Sequence, residues 1–157
     1  MTEIRRKVIE GIRVGDTLTV TRTFTREDTR AFADVSLDYN PYHFHRSYTD
    51  SREFDGLICH GLLVGGMLTE IGGQLGMLAS GMEFRFRGPV YFGDTITCRM
   101  TFTEIDEKGR AEAEAEYTNQ DGEVVLLASL RGILPGPEEV KILKELVKRA
   151  ARPGPQS

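Results

Sequence analysis

The stretch Ala111-Glu-Ala-Glu-Ala-Glu-Tyr117 alternates apolar and acidic side chains without a break. That period belongs to a strand with one face buried and the other in water, since a helix would scatter the glutamates around its circumference. The segment therefore predicts an antiparallel sheet with a solvated side. The same alternation recurs in Met82, Phe84 and Phe86 against Glu83, Arg85 and Arg87, and in Ile96, Cys98, Met100 and Phe102 against Thr95, Thr97, Arg99 and Thr101. Leu18, Val20, Arg22 and Phe24 share one side of a further strand after the Gly15-Asp16 turn, and Glu123 to Leu134 is apolar enough for an interior strand. Lys108-Gly109 and Asp121-Gly122 stand where hairpins must turn.

Helical signals lie between and after the strands. Thr25-x-x-Asp28 has the form of a capping box, predicting a short helix to about Val35 with Ala31, Phe32 and Val35 facing inward. Asn40-Pro41 forbids a continuous helix, so 36–55 reads as a structured loop. From Gly61, the residues Leu62, Leu63, Met67, Leu68, Ile71, Leu75 and Leu78 predict one long, central, buried helix. Its glycines at 65, 66, 72 and 73 each cost about 1 kcal/mol of helix propensity, which close packing of another backbone would offset. Glu138 to Ala151 predicts a basic helix with Val140, Leu143 and Val147 on one face, and 152–157 should be loose. The expected architecture is α+β, one long helix against an antiparallel sheet, with a domain over 1–136 followed by a C-terminal helix and flexible tail over 137–157.

A chain of 157 residues has room for one core. With 39% hydrophobic and 28% charged residues it has the balance of a globular protein, and a net charge of -4 argues against a nucleic-acid partner. Cys59 and Cys98 lie in apolar surroundings without metal-type spacing and read as buried thiols. Met1 to Arg13 lacks the pattern of a secretory signal, and Glu70 and Gln74 interrupt the apolar run Gly61 to Ala79, so a cytoplasmic protein that does not span a membrane is expected.

The loop from Ser36 to His45 is crowded with groups that move protons. Hydrating an activated double bond needs one group to take a proton from water and another to deliver one to the adjacent carbon, and Asp38 and His43 cover both needs. Asn40-Pro41 would bend the chain so that the two converge. The helix start at Gly61 offers unpaired backbone N–H groups to an enolate oxygen, and a glycine there lets substrate approach closely.

Phe24-Thr-Arg-Glu-Asp-Thr-Arg-Ala-Phe-Ala-Asp34, Asp38-x-Asn40-Pro41-x-His43, Phe54-Asp-Gly, His60-Gly61-Leu-Leu and Phe86-Arg-Gly-Pro-Val-Tyr-Phe-Gly-Asp94-Thr occur in this order between Gly15 and Leu134. Together they resemble the MaoC-like, (R)-specific enoyl-CoA hydratases (hydratase 2). The resemblance implies a hot-dog fold, an antiparallel sheet wrapped around a long helix, assembled as a homodimer or higher homo-oligomer. It further implies that Asp38 and His43 form the catalytic dyad, that Asn40 supports them, and that Gly61 supplies a backbone oxyanion donor. Thr69 takes the place of a site-ordering hydroxyl that is more often a serine, and His45 stands where the family commonly has an aspartate, which alters the local charge balance. The substrate is then an acyl-CoA or acyl-carrier-protein thioester. No cofactor is expected beyond the coenzyme A of the substrate itself, and no metal.

Other readings are weaker. A metal site from Asp38, His43, His45 and His60 lacks distinctive ligand spacing, and alternate residues of an extended segment would point apart. His60 reads as a cap or hydrogen-bonding residue at the helix start, outside the reacting groups. The glycines of 61–76 lack a phosphate-loop ending, and Arg85, Arg87 and Arg99 on a solvated strand face need no coenzyme phosphate to explain them. Rival functions are a thioesterase using Glu70 as base and a non-catalytic acyl-CoA-binding subunit.

Overall fold

The structure, a computed structural model, describes residues 2–150. Strands β1 (Thr17–Thr23), β2 (Leu78–Phe86), β3 (Thr95–Ile105), β4 (Arg110–Thr118) and β5 (Val124–Ile133) form one sheet in the order β1-β3-β4-β5-β2. Every pairing is antiparallel. In β4 the predicted alternation is realised: Ala111, Ala113, Ala115 and Tyr117 are buried and the glutamates between them are exposed. The register sets Ala113 beside Phe102 and Leu130, and Ala115 beside Met100 and Ala128. Small residues at the middle of the sheet make room for what packs on it.

What packs there is a helix, but not the single long one predicted. It is α4 (Gly61–Gly65) followed by α5 (Met67–Leu75), broken at Gly66 and closed by Gly76 in the left-handed region. Leu78 belongs to β2 instead. In a continuous helix the Thr69 N–H would go to the Gly65 carbonyl, whereas here it goes to Gly66, and the buried Tyr117 hydroxyl donates to Gly65 at 3.0 Å. Val64, Met67, Leu68, Ile71 and Leu75 fill the core, while Leu62, Thr69 and Glu70 are exposed. The glycines are not all explained by a close backbone. A side chain at Gly65 would meet the Phe84 ring and one at Gly66 the Leu63 carbonyl, both at 3.0 Å, but at Gly72 and Gly73 nothing lies within 4 Å.

The capping box forms as read. Thr25 accepts from the Asp28 N–H, Asp28 accepts from the Thr25 N–H, and α2 (Arg26–Ser36) follows. Its inner stripe is Thr29 and Ala33, with Phe32 half-buried; Ala31 is exposed and Val35 is 86% exposed, contrary to expectation. The small side chains let α2 approach the body closely, and that fixes its phase. A further helix, α1 (Glu3–Glu10), was not read from sequence; Thr2 caps it, and Ile4 and Val8, one turn apart, enter the core. The basic C-terminal helix is α6 (Pro137–Ala150), with Leu143 against Gly76 and with Val140 and Val147 half-buried. The loose stretch expected over 152–157, like the last residue of that helix as predicted, lies outside the described residues. Among the described residues no helix is long and apolar enough to cross a membrane.

Tyr117→Phe should strip the buried Gly65 carbonyl of its donor and cost about 1–3 kcal/mol. The change should appear as a lower urea midpoint with an unchanged slope.

Candidate active site

The site is built on the chain leaving α2. Leu37 ends that helix in the left-handed region at φ 61°, where a glycine is more usual. The Ser36 hydroxyl donates to the Phe32 carbonyl and accepts the Asp38 N–H, so Asp38 starts from an anchored corner. Asp38 Oδ1 accepts the Asn40 N–H, and Asn40 Oδ1 accepts the Tyr42 N–H, which caps a 3-10 turn over Pro41–His43. Each of these side chains is spent on turning the backbone.

The turn carries His43 inward, to 8% exposure. Its Nδ1 lies 2.7 Å from the Ile58 carbonyl oxygen. A carbonyl only accepts, so Nδ1 carries the proton and Nε2 presents a lone pair. Burial holds the His43 pKa below its ordinary value; the neighbouring His60 pushes the same way, while the Ile58 carbonyl and Asp38 oppose both. His43 is therefore a neutral base at neutral pH. His60, 1% exposed, lies against it with ring centroids 3.7 Å apart. The His60 Nε2–H donates to the Asp38 backbone carbonyl at 2.8 Å.

Asp38, His43 and Gly61 line one pocket of about 500 Å³, with Phe32, Ile58, Val64, Phe86, Val125 and Leu126 supplying apolar wall. Gly61 opens α4, so its N–H has no acceptor within the helix. The space a Gly61 side chain would need is filled by the Phe86 ring, so the glycine answers first to that ring and not to the substrate approach expected from sequence. The Asn40 backbone N–H donates to Asp38 Oδ1, and Asn40 is absent from the pocket wall. Thr69 is absent from the pocket wall, and its hydroxyl donates to the Gly66 carbonyl, which also accepts the backbone N–H groups of Thr69 and Glu70. His45 is exposed at the start of α3 (Arg46–Asp50), also away from the pocket.

Two rivals can be placed. Glu70, the base of the thioesterase reading, is exposed, accepts from Gln74 and is absent from this pocket's wall. Asp38, His43 and His60 do offer donor atoms within 4.8 Å of one another. The two ring planes are tilted by 31°, and His43 Nδ1 and His60 Nε2 already face the Ile58 and Asp38 carbonyl oxygens. Arg85 is taken up by Glu83. Reading the sequence alone left out Ser36 and Phe86, and kept His60 at the helix start outside the reacting groups. Ser36, two residues before Asp38, carried a legible turn signal, whereas Phe86 carried none beyond its place on an alternating strand.

Residues 12–124 match the model of the MaoC like domain. The chain belongs to the MaoC-like domain family. This MaoC-like chain is 39% identical over 87 residues to a mitochondrial 3-hydroxyacyl-[acyl-carrier-protein] dehydratase of Arabidopsis thaliana, covering 54% of its own length and 52% of the relative's. It thus spans about half of that plant protein. It is 31% identical over 100 residues to an (R)-specific enoyl-CoA hydratase of Rhodospirillum rubrum, covering 61% of its own length and 69% of the relative's. The solved structure of an (R)-hydratase from A. caviae superposes with a TM-score of 0.75 at 27% identity, over 80% of this chain and 99% of that one. The hot-dog fold and the hydratase/dehydratase family are thereby shared.

The lowered His43 pKa fixes the sign of a pH effect. Between the unfolded value, about 6.5, and the lower folded value, the unfolded chain binds the extra proton, so stability falls as pH falls through that window. The stability difference between the wild type and His43→Gln, from urea midpoints at about pH 7 and about pH 5, should shift against the wild type at the lower pH.

Proposed function

We propose that this protein adds water reversibly across the 2,3 double bond of an enoyl-CoA thioester, giving the (R)-3-hydroxyacyl-CoA. The observation that carries the reading is the convergence of the Asp38 carboxylate and a neutral His43 on one largely apolar pocket. A carboxylate and a bare imidazole Nε2 are both acceptors, and one water has two protons to give them. Its oxygen forms the bond to C3 and one of its protons passes to the pair; the pair delivers a proton to C2. Both added atoms come from one water, so no proton is consumed. The enolate oxygen formed between these events is met by the Gly61 N–H, in a pocket whose largely apolar wall makes that hydrogen bond count for more than in open water. Base and acid roles belong to the pair, because a shared water couples their titrations.

Coenzyme A is the proposed carrier, as in the name of the R. rubrum relative; the A. thaliana relative is named for the acyl-carrier-protein thioester. Because the acceptors and the oxyanion donor suffice for the chemistry, no cofactor or metal is proposed. A homodimer is proposed because β2 is an edge strand whose Leu78 and Phe86 are 71% and 56% exposed, a surface that a second copy would cover.

Purified protein should bleach the enoyl absorbance of crotonyl-CoA or a longer enoyl-CoA, and dialysis against a chelator should not change the rate. An unchanged absorbance across that series would sink the reading. Asp38→Asn and His43→Gln should each lower kcat by about 100- to 10,000-fold while the circular dichroism spectrum stays that of the wild type. Equilibrium sedimentation should give twice the chain mass.

A further inference from the structure

His60 touches both members of the pair by two different means. Its Nε2–H donates at 2.8 Å to the Asp38 backbone carbonyl and lies 4.0 Å from the Asp38 carboxylate. Its ring face lies on His43 at 3.7 Å, and its other side meets Phe32 at 4.9 Å. We infer that His60 is a positioning residue that fixes Asp38 through its N–H and His43 through its ring, so that both acceptors address one water.

A packing role alone does not account for this imidazole. His60 is 1% exposed, stands at the N-cap of α4, and makes no side-chain cap hydrogen bond. Its Nδ1 is buried without a partner. An apolar ring would fill the same space without leaving that lone pair unmet, so what the histidine adds is the Nε2–H. The donor goes to the residue that holds one half of the dyad, and the ring covers the other half. The same contact bears on protonation. Burial, the largest cause, and the charge of His60 favour neutral His43, against the Ile58 carbonyl and Asp38. The remaining charged groups on that side are Asp38 and, across a second cavity that His43 also lines, Arg26, Glu27, Arg30 and Asp34 of α2.

The inference rests on the hydratase reading, and two variants separate its parts. His60→Gln keeps an N–H donor at nearly the reach of Nε2 and removes the ring; His60→Phe keeps the ring and removes the donor. With crotonyl-CoA, His60→Phe should lower kcat by about 10- to 100-fold, within the range of a group that aligns an acid–base pair, and His60→Gln by less, with KM changed by less than about 3-fold in both. Equal losses in both variants that follow their melting temperatures, or full kcat in His60→Phe, would overturn it. The chain has 3 histidines, so each imidazole is resolvable by NMR, and that titration needs no substrate. His43 should protonate at higher pH in His60→Gln than in His60→Phe, because neither carries the His60 charge and only the first loses the covering ring. An unmoved His43 titration would remove the ring contact from the proposal. If the wild type does not turn over enoyl-CoA at all, the hydratase reading fails while the titration still judges the contact.

Discussion

The backbone of Ile58 holds the site together. Its N–H donates to the Tyr42 carbonyl, its carbonyl accepts from His43 Nδ1, and it forms a bridge with Tyr91 just beyond the edge strand β2. The next residue, Cys59, donates to the Val90 carbonyl at 2.7 Å. Buried backbone groups must find partners, and here the partners of one residue are the loop that carries the base, the base itself, and the segment after β2. Loop, imidazole and sheet are thereby fixed relative to one another. A loop stripped of these bonds would let His43 choose its tautomer and its direction.

Much of the frame was legible because it rests on local periodicities. The alternation in β3 and β4, the Gly109 and Gly122 turns at positive φ, and the Thr25 capping box each depend on neighbours in sequence and form as read. The break at Gly66 was not legible because its cause is remote: the hydroxyl that takes the Gly65 carbonyl comes from Tyr117, 52 residues away. The inward face of α2 was misjudged for a related reason. Hydrophobicity nominates Val35, but the side that α2 buries carries the small Thr29 and Ala33.

The candidate site divides along the same line. Asp38 and His43 could be paired in advance because Asn40 and Pro41, lying between them, write the turn into the sequence. His60 could not, since its meeting with Asp38 depends on how the start of α4 sits over the loop. Gly61 was singled out as an oxyanion donor open to substrate, whereas what fills the place of its side chain is the Phe86 ring, contributed by a strand 25 residues on. Thr69 lies on the exposed side of α5, where its hydroxyl donates to the Gly66 carbonyl one turn back.

Reversible hydration places an unusual demand on such a site, because the same groups must serve water entering and water leaving. A histidinium would grip hydroxide too well and offer no acceptor, and a fully solvated imidazole would be protonated over part of the working range. Burial of His43 solves both problems at once by opposing the charged form, and the Ile58 carbonyl then selects the tautomer whose bare nitrogen is Nε2. The adjacent carboxylate restores some basicity without restoring solvent, since Asp38 favours the protonated ring as burial disfavours it. The imidazole is thus held between two opposing influences, as the proposed return of a water proton requires.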